Sequence, residues 1–233
     1  MFRKILVVGG KGFIGSHLPD KWKVCDIKEN CDFRTVNCDK ADVVVFLAAD
    51  LKNTQKAYKY NESLYKALDK YLKQYPDTHV VYTSSAAVYD DVIYSHSEGE
   101  PLTPSTFYGG AKLLGEHYVK QYKNYTILRL SNVYGRGGHG VIDIFKRGGT
   151  TIYGSGEQVR DFIPVEEVAK VIETIVRKPK KFNKKIYNIS SGKGMTINQI
   201  WKVFGKGVAI HRRARTGDIQ YSVLRPNRWR RHG

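Results

Sequence analysis

Residues 5–18 read ILVVGGKGFIGSHL, and this stretch constrains the chain more than any other. An uninterrupted aliphatic run leads straight into Gly9-x-x-Gly12-x-x-Gly15. Apolar residues on both alternations describe a strand buried on both faces, as in a parallel sheet covered by helices. Glycines there permit a tight turn and a close approach of backbone to a pyrophosphate where a helix begins. A glycine triplet alone is weak evidence, but the context matches. The next strand pattern, Lys23–Asp26, ends in an acid. Asp26 can accept hydrogen bonds from an adenosine ribose, and its charge repels a 2′-phosphate. The pattern points to NAD over NADP, with the nearby Lys28 pulling the other way. A Walker-type ATP site is disfavoured because Gly-Lys-Ser/Thr is missing.

Short apolar runs then alternate with helical patterns. Strands are expected at Lys4–Val8, Lys23–Asp26, Val43–Leu47, His79–Thr83 and Thr126–Leu130. Helices are expected at Phe13–Pro19 (very short), Thr54–Tyr75 and Phe107–Tyr122. Leu64, Tyr65, Leu68, Leu72 and Tyr75 keep the 3.6-residue period. This alternation predicts a Rossmann-type α/β fold, a doubly wound parallel sheet. After about residue 140 the rhythm becomes irregular. Short strands (Thr151–Tyr153, Lys185–Ile189, Val208–His211) mix with helices at Val165–Val176 and Thr196–Phe204. The expected division is a dinucleotide-binding domain over 1–140, with returns from about 164–190. A small, interleaved α/β substrate-binding lobe then occupies 141–233.

The 233 residues suffice for one large domain or a domain plus a small lobe, and 41% hydrophobic content supports a core. No apolar run is long enough for a membrane span. The N-terminus starts on a strand pattern and lacks a signal-peptide cleavage region, so a cytoplasmic location is expected. Cys25, Cys31 and Cys38 have neither zinc-finger spacing nor a histidine pair nearby, and reduced thiols are expected. The formal charge is +17. Such a surface attracts polyanions, including nucleotide phosphates and nucleic acid. Part of it is a C-terminal run of Lys206, Arg212, Arg213, Arg215, Arg225, Arg228, Arg230 and Arg231 against Asp218.

Residues 107–112 read FYGGAK. Tyr108 and Lys112, four apart, fall on one helix face. The spacing suits either a plain surface pair or a phenol base with a cation set beside it. Wider context separates the two. The glycine turn, DVVVFLAA (42–49), YTSSAAVY (82–89), FYGGAK, LRLSNVYGRG (128–137), IYGSGEQVRDFI (152–163) and YNISSG (187–192) occur in this order. Together they resemble the extended short-chain dehydrogenase/reductase family, especially its nucleotide-sugar epimerases, over nearly the whole chain.

The resemblance implies that Tyr108 is the general acid–base, with Lys112 lowering its pKa and holding the nicotinamide ribose. Ser85 is implied to bond the sugar hydroxyl. Cofactor contacts are implied for Gly9, Gly12, Phe13, Ile14, Gly15 and Asp26. They are implied also for Asp39, Leu47, Ala48, Ala49, Asn61 and Ser84. On the substrate side the implied residues are Ser85, Asn132, Arg160, Arg215, Asp218 and Ser222, the arginines gripping a diphosphate. The implied reaction is 4-epimerisation of UDP-glucose/UDP-galactose through transient NAD-dependent oxidation at C4. Ser222, a small residue, hints at N-acetylhexosamine substrates too. Family dehydratases carry an acid pair where Ala86 and Ala87 stand. An NAD(P)-dependent reductase of a 4-keto nucleotide sugar is the alternative reading, and a non-catalytic NAD- or RNA-binding protein a further one. The chain is shorter than most relatives, with Phe46 replacing a common histidine. Relatives dimerise through two helices, here 54–75 and 107–122, which implies a homodimer.

Overall fold

The computed structural model describes residues 3–89, 91–215, 217–226 and 228–229; Arg230 and Arg231, named above, lie outside them. The elements run β1 (Ile5–Val8), β2 (Lys23–Cys25), β3 (Val43–Phe46), α1 (Gln55–Gln74), β4 (His79–Ser85), α2 (Phe107–Lys120) and β5 (Tyr125–Leu130). They continue with β6 (Asn132–Tyr134), α3 (Val141–Lys146), β7 (Thr151–Tyr153), β8 (Val159–Pro164), α4 (Val165–Arg177) and β9 (Lys185–Ile189). Last come β10 (Gly194–Thr196), α5 (Ile197–Phe204), β11 (Ile210–Arg212) and β12 (Tyr221–Ser222).

The six strands of the main sheet lie in the order β2-β1-β3-β4-β5-β9, every pairing parallel. Strand alternation divides the core in two. Val44, Phe46, Val80, Tyr82 and Ile127 pack with Leu64, Tyr65 and Leu68 of α1 and Val119 of α2. Val43, Val45, Val81 and Leu128 face the other way, against Val168, Ile172 and Ile175 of α4. The doubly wound reading is therefore observed. The chain leaves β1 toward β2 on one side and toward β3 on the other, so the topological switch lies between β1 and β3.

The helix expected at Phe13–Pro19 is a single 3₁₀ turn, Gly15–His17. Pro19 has no N–H with which to extend it. Leu18 and Trp22 instead fill the space against the α4 face. Beyond residue 130, the short strands β6, β8, β10 and β12 form a second sheet, and β7 pairs with β11. Of these, β7 and β11 were readable as apolar runs; β8 was not, because Arg160-Asp161 interrupts its pattern. A separate apolar cluster of Ile142, Phe145, Ile152, Ile197 and Ile200 stabilises this region. The apolar residues of α1 and α2 are largely spent on the core, and their exposed large apolar side chain is Phe107. Among the described residues no helix is long and apolar enough to cross a membrane.

One expectation is corrected. Cys25 and Cys31 form a disulfide, and Cys38 alone keeps a thiol. After β2, a 3₁₀ turn and Asn30 in the left-handed conformation (φ 54°) fold Cys31 back onto Cys25. Turn geometry of this kind is not visible in cysteine spacing.

A buried ion pair fastens α2 to the sheet. Arg129 of β5 grips Glu116 of α2 through Nε–Oε1 at 2.9 Å and Nη2–Oε2 at 2.8 Å, both residues almost fully buried. Ser84 donates to the same carboxylate at 2.7 Å, and Arg129 Nη1 donates to the Tyr89 hydroxyl at 2.7 Å. Arg129 holds the Glu116 carboxyl below its usual range despite burial. Arg129→Met leaves that buried carboxylate with Ser84 and the partly exposed Lys120 at 3.2 Å, and the expected loss is at the lower end of about 3–5 kcal/mol of stability at pH 7. Glu116→Leu/Arg129→Met should recover most of it, because no lone charge stays buried. Urea unfolding of both variants is the measurement; equal stability of the two would contradict the clamp.

Candidate active site

Two cavities sit at the carboxyl ends of the strands. The first, about 210 Å³, lies over the β1/β3 switch and is lined by Gly9, Gly12, Asp26, Leu47, Ala48 and Ala49 among others. Gly9 has φ +83°, and a Cβ there would lie 2.6 Å from the Ala48 nitrogen, so glycine is required. Asp26 is fixed by two backbone donors, Lys11 N–H and Lys28 N–H, each at 2.9 Å. A free backbone approach and an anchored carboxylate fit a dinucleotide lying across the switch with its ribose at Asp26.

Several expected cofactor residues are placed differently. Phe13, Ile14 and Gly15 do not line this cavity. Ile14 packs on the α4-side core, and Gly15 sits against the Gly10 backbone where a side chain would collide. Asn61 is buried in α1, and its amide exchanges hydrogen bonds with the Asp50 backbone at 2.8 and 2.9 Å. It pins the loop that follows Ala49 instead of facing the cavity. Asp39 is a correction: it pairs with Lys23 at 2.8 Å at the opposite end of β2. Asp32 and Phe33 line the cavity in its stead. The CDF stretch at 31–33 repeats the apolar–acid pattern of VCD at 24–26, which was the available signal.

The second cavity, about 290 Å³, brings together Ser85, Tyr108, Asn132, Arg160, Asp218 and Ser222. Ser84 and Ser85 end β4, and the strand period of two sends them to opposite faces. Ser84 points into α2, buried on Glu116, which corrects its expected cofactor contact. Ser85 faces the cavity, its Oγ accepting from Ala87 N–H at 3.2 Å. Tyr108 opens α2, whose start is fixed by Thr106 accepting from Gly109 N–H and Asn53 accepting from Phe107 N–H. Gly109 is needed because a Cβ would strike the Ala87 carbonyl.

Lys112 lies one turn on, buried, with Nζ donating to the Thr83 carbonyl at 2.9 Å. Nζ is 5.9 Å from the centroid of the Tyr108 ring and 5.4 Å from that of Tyr82. The expected acidification of the phenol is not what this geometry gives. Burial pushes Tyr108 up to about 12, with a hydrogen bond from Ser85 pulling the other way. Burial pushes Lys112 down to about 8. Both groups are driven toward their neutral forms because the dry site solvates neither charge.

On the substrate side Arg160 is already paired. Nη2 donates to Asp218 Oδ1 at 2.7 Å and to the Ile219 carbonyl, and Nη1 donates to the Val159 carbonyl at 2.9 Å. Asn132 Nδ2 donates to the Asp161 carbonyl at 3.1 Å. Arg215 is a correction: it is exposed, its guanidinium 3.8 Å over the Tyr153 ring and outside the cavity. Leu51, Asn53, Thr106 and Ser131 also line the cavity and were not foreseen. A further cavity, about 1210 Å³, lies elsewhere, at the amino ends of β1 and β2. Arg3, Lys4, Lys21, Lys40 and Arg177 surround it, which places part of the positive charge far from Tyr108.

The Lys112 shift has a thermodynamic consequence. The folded chain releases this proton near pH 8, whereas a free lysine holds it to 10.5. From pH 8 upward the unfolded chain binds more protons, so this group makes stability rise with pH. Between pH 8 and 9 Cys38 already acts in the opposite sense, because its folded thiol is raised above the free value, so the Lys112 contribution is read as the difference in slope between the parent and Lys112→Met. Urea unfolding across that interval should show a more positive slope in the parent chain than in Lys112→Met. An unchanged slope in the variant assigns it to another group.

Comparison with known proteins gives a consistent picture. Residues 21–190 match the model of the NAD dependent epimerase/dehydratase family. A putative UDP-glucose 4-epimerase of Methanocaldococcus jannaschii is 29% identical over 92% of this chain and 87% of its own length. Among solved structures, a UDP-N-acetylglucosamine 4-epimerase from Methanobrevibacter ruminantium, in complex with UDP-N-acetylmuramic acid, superposes with a TM-score of 0.83. It is 25% identical, over 98% of this chain and 91% of that one. The UDP-glucose 4-epimerase of Thermus thermophilus, in complex with NAD, gives 0.83 at 26% identity over 98% and 92%. A parallel sheet with a glycine turn at its switch point, and a family match over most of its length, make this chain a member of the NAD dependent epimerase/dehydratase family.

Proposed function

We propose that the chain is a nucleotide-sugar 4-epimerase acting on UDP-glucose/UDP-galactose and on their N-acetyl counterparts. One observation carries the reading. The second cavity gathers Ser85, Tyr108, Asn132, Arg160 and Ser222 in one lining, and Ala86 and Ala87 belong to the same lining. A 4,6-dehydratase needs a further acid–base pair beside the sugar, and two alanines exchange no proton. Relatives and neighbours described as 4-epimerases support the same choice.

When bound, NAD supplies a hydride acceptor and donor for the sugar C4. The chain's own residues do the remaining work. Ser85 Oγ orients the 4-hydroxyl toward the phenol. Tyr108 takes the hydroxyl proton and later returns it to the same oxygen. A phenol raised to about 12 is protonated in the free protein, so Tyr108 acts as base only after its own proton has passed to water; Lys112 and the positive nicotinamide of bound NAD would favour that phenolate. Arg160 exchanges Asp218 for the diphosphate, which anchors the nucleotide while the sugar turns over. The small Ser222 leaves room for a 2-acetamido group. A homodimer through α1 and α2 belongs to the same proposal.

Incubation with UDP-Glc, UDP-Gal and the N-acetyl pair, followed by product separation, tests the reading. Interconversion without net NADH change is expected; stoichiometric NADH oxidation would mark a reductase instead. Tyr108→Phe should lose at least about 10²-fold in rate. It should retain NAD, measured after denaturation, because the phenol oxygen is not part of the glycine-turn cavity. Undiminished turnover in Tyr108→Phe would remove it from the mechanism.

A further inference from the structure

The three cysteines are spread over fourteen positions, from Cys25 to Cys38, yet their sulfur atoms all lie within 4.8 Å of one another. Two separate pieces of backbone bring them there. The turn after β2 carries Cys31 back over Cys25, helped by Cys31 N–H donating to the Asp26 carbonyl at 3.0 Å. The segment leading to β3 then returns along the sheet edge and lays Cys38 against the same apolar cluster. Among the described residues, no histidine or carboxylate belongs to the group. A disulfide between Cys25 and Cys31 needs no third sulfur beside it. Cys38 is partly desolvated, which raises its thiol, with the Lys23 ammonium opposing.

Three sulfurs within 4.8 Å of one another can serve as the donor set of a borderline-soft cation. Zinc is held at about 2.3 Å from each thiolate, and tetrahedral coordination then sets the sulfurs about 3.8 Å apart. The observed separations reach that arrangement by side-chain rotation once the Cys25–Cys31 bond is open. We propose that Cys25, Cys31 and Cys38 form a three-thiolate Zn²⁺ site in the reduced chain, with the fourth position left to solvent. The Cys25–Cys31 disulfide is its oxidised form. A dithiol reductant opens the disulfide by giving it two electrons and two protons and becoming a disulfide itself. Zn²⁺ then binds the three sulfurs and displaces their protons. Cys25 and Cys31 also line the cavity that holds Asp26, so the metal sits against the ribose end of the glycine-turn cavity. The site rests on sulfur geometry and is independent of the proposed sugar chemistry.

Metal binding tests it directly. The full chain is reduced with dithiothreitol under argon, desalted, and titrated with Co²⁺ and then Zn²⁺. Thiol counting should rise from one to three per chain on reduction. One Co²⁺ per chain should bind with tetrahedral d–d bands and thiolate charge transfer of three-sulfur intensity, and Zn²⁺ should bleach both. Cys38→Ser should weaken Zn²⁺ binding at least about 100-fold, since even outer partners of zinc ligands are worth about 10–100-fold. Circular dichroism establishes that this variant is folded. The proposal is overturned if the reduced chain, with three titratable thiols, binds neither ion stoichiometrically. It is equally overturned if Co²⁺ reports two thiolates or if folded Cys38→Ser binds as tightly as the parent. If Cys38→Ser does not fold, the stoichiometry and sulfur count of the parent decide alone.

Discussion

The bidentate contact between Glu116 and Arg129 is the constraint on which the site depends. It joins α2 to β5 at the level where β4 ends, and Ser84 beside it ties in the third element. Tyr108, Lys112 and Glu116 stand one turn apart along α2, so fixing the last aligns the first two. The helix lies close to the strands because it has glycine where it touches them. A Cβ at Gly115 would collide with the Tyr82 hydroxyl, and one at Gly109 with the Ala87 carbonyl. Glycine inside a helix costs about 1 kcal/mol against alanine. Here that cost permits an approach that a side chain would block, which explains Gly109 within FYGGAK and Gly115 one turn past it, whereas a Cβ at Gly110 would meet only ordinary contact with Tyr58.

Close packing also sets the electrostatics. A phenol and an ammonium placed in a dry site both resist charge, and the structure shows Tyr108 shifted up and Lys112 shifted down. The lysine donates its proton to the Thr83 carbonyl and does not touch the phenol oxygen. Its field therefore acts through the ring and not through a direct bond. At neutral pH such a site holds a neutral phenol beside a lysine that is still mostly protonated. The free protein therefore favours the protonated phenol, and the base form depends on what a bound cofactor adds.

The fold was legible in the sequence where periodicity and chemistry agreed. Continuous aliphatic runs and the glycine turn gave the parallel strands, and the 3.6-residue repeat gave α1 and α2. Short edges of the second sheet were not legible. Residues such as Asn132–Tyr134 and Gly194–Thr196 become strands because β8 lies beside them, not from their own preference. Within the site, Ser85 and Tyr108 were recoverable from motif position, and strand alternation alone would have turned Ser84 away from the cavity. Asp39 failed for another reason. Two acids, Asp32 and Asp39, follow β2, and only the three-dimensional path of the chain says that Asp32 reaches the cavity while Asp39 pairs with Lys23. Arg215 stacks on Tyr153, a pairing set by β11 running beside β7 and invisible to a count of residues.

The substrate side shows what pairing before binding accomplishes. Arg160 is mostly desolvated, and an unpaired guanidinium there would carry a large burial cost. Asp218 meets that cost, while Gln158 holds the far oxygen of the same carboxylate at 3.2 Å. Under the proposed function, a diphosphate entering the cavity would compete with one carboxylate for the same donors. The exchange conserves the hydrogen-bond count of Arg160, so affinity comes from the difference in charge and not from new bonds. Asp218 is the more exposed of the two partners, with 24% of its side chain accessible against 13% for Arg160. Under the proposed function the carboxylate, being the more exposed partner, would be the one released to water.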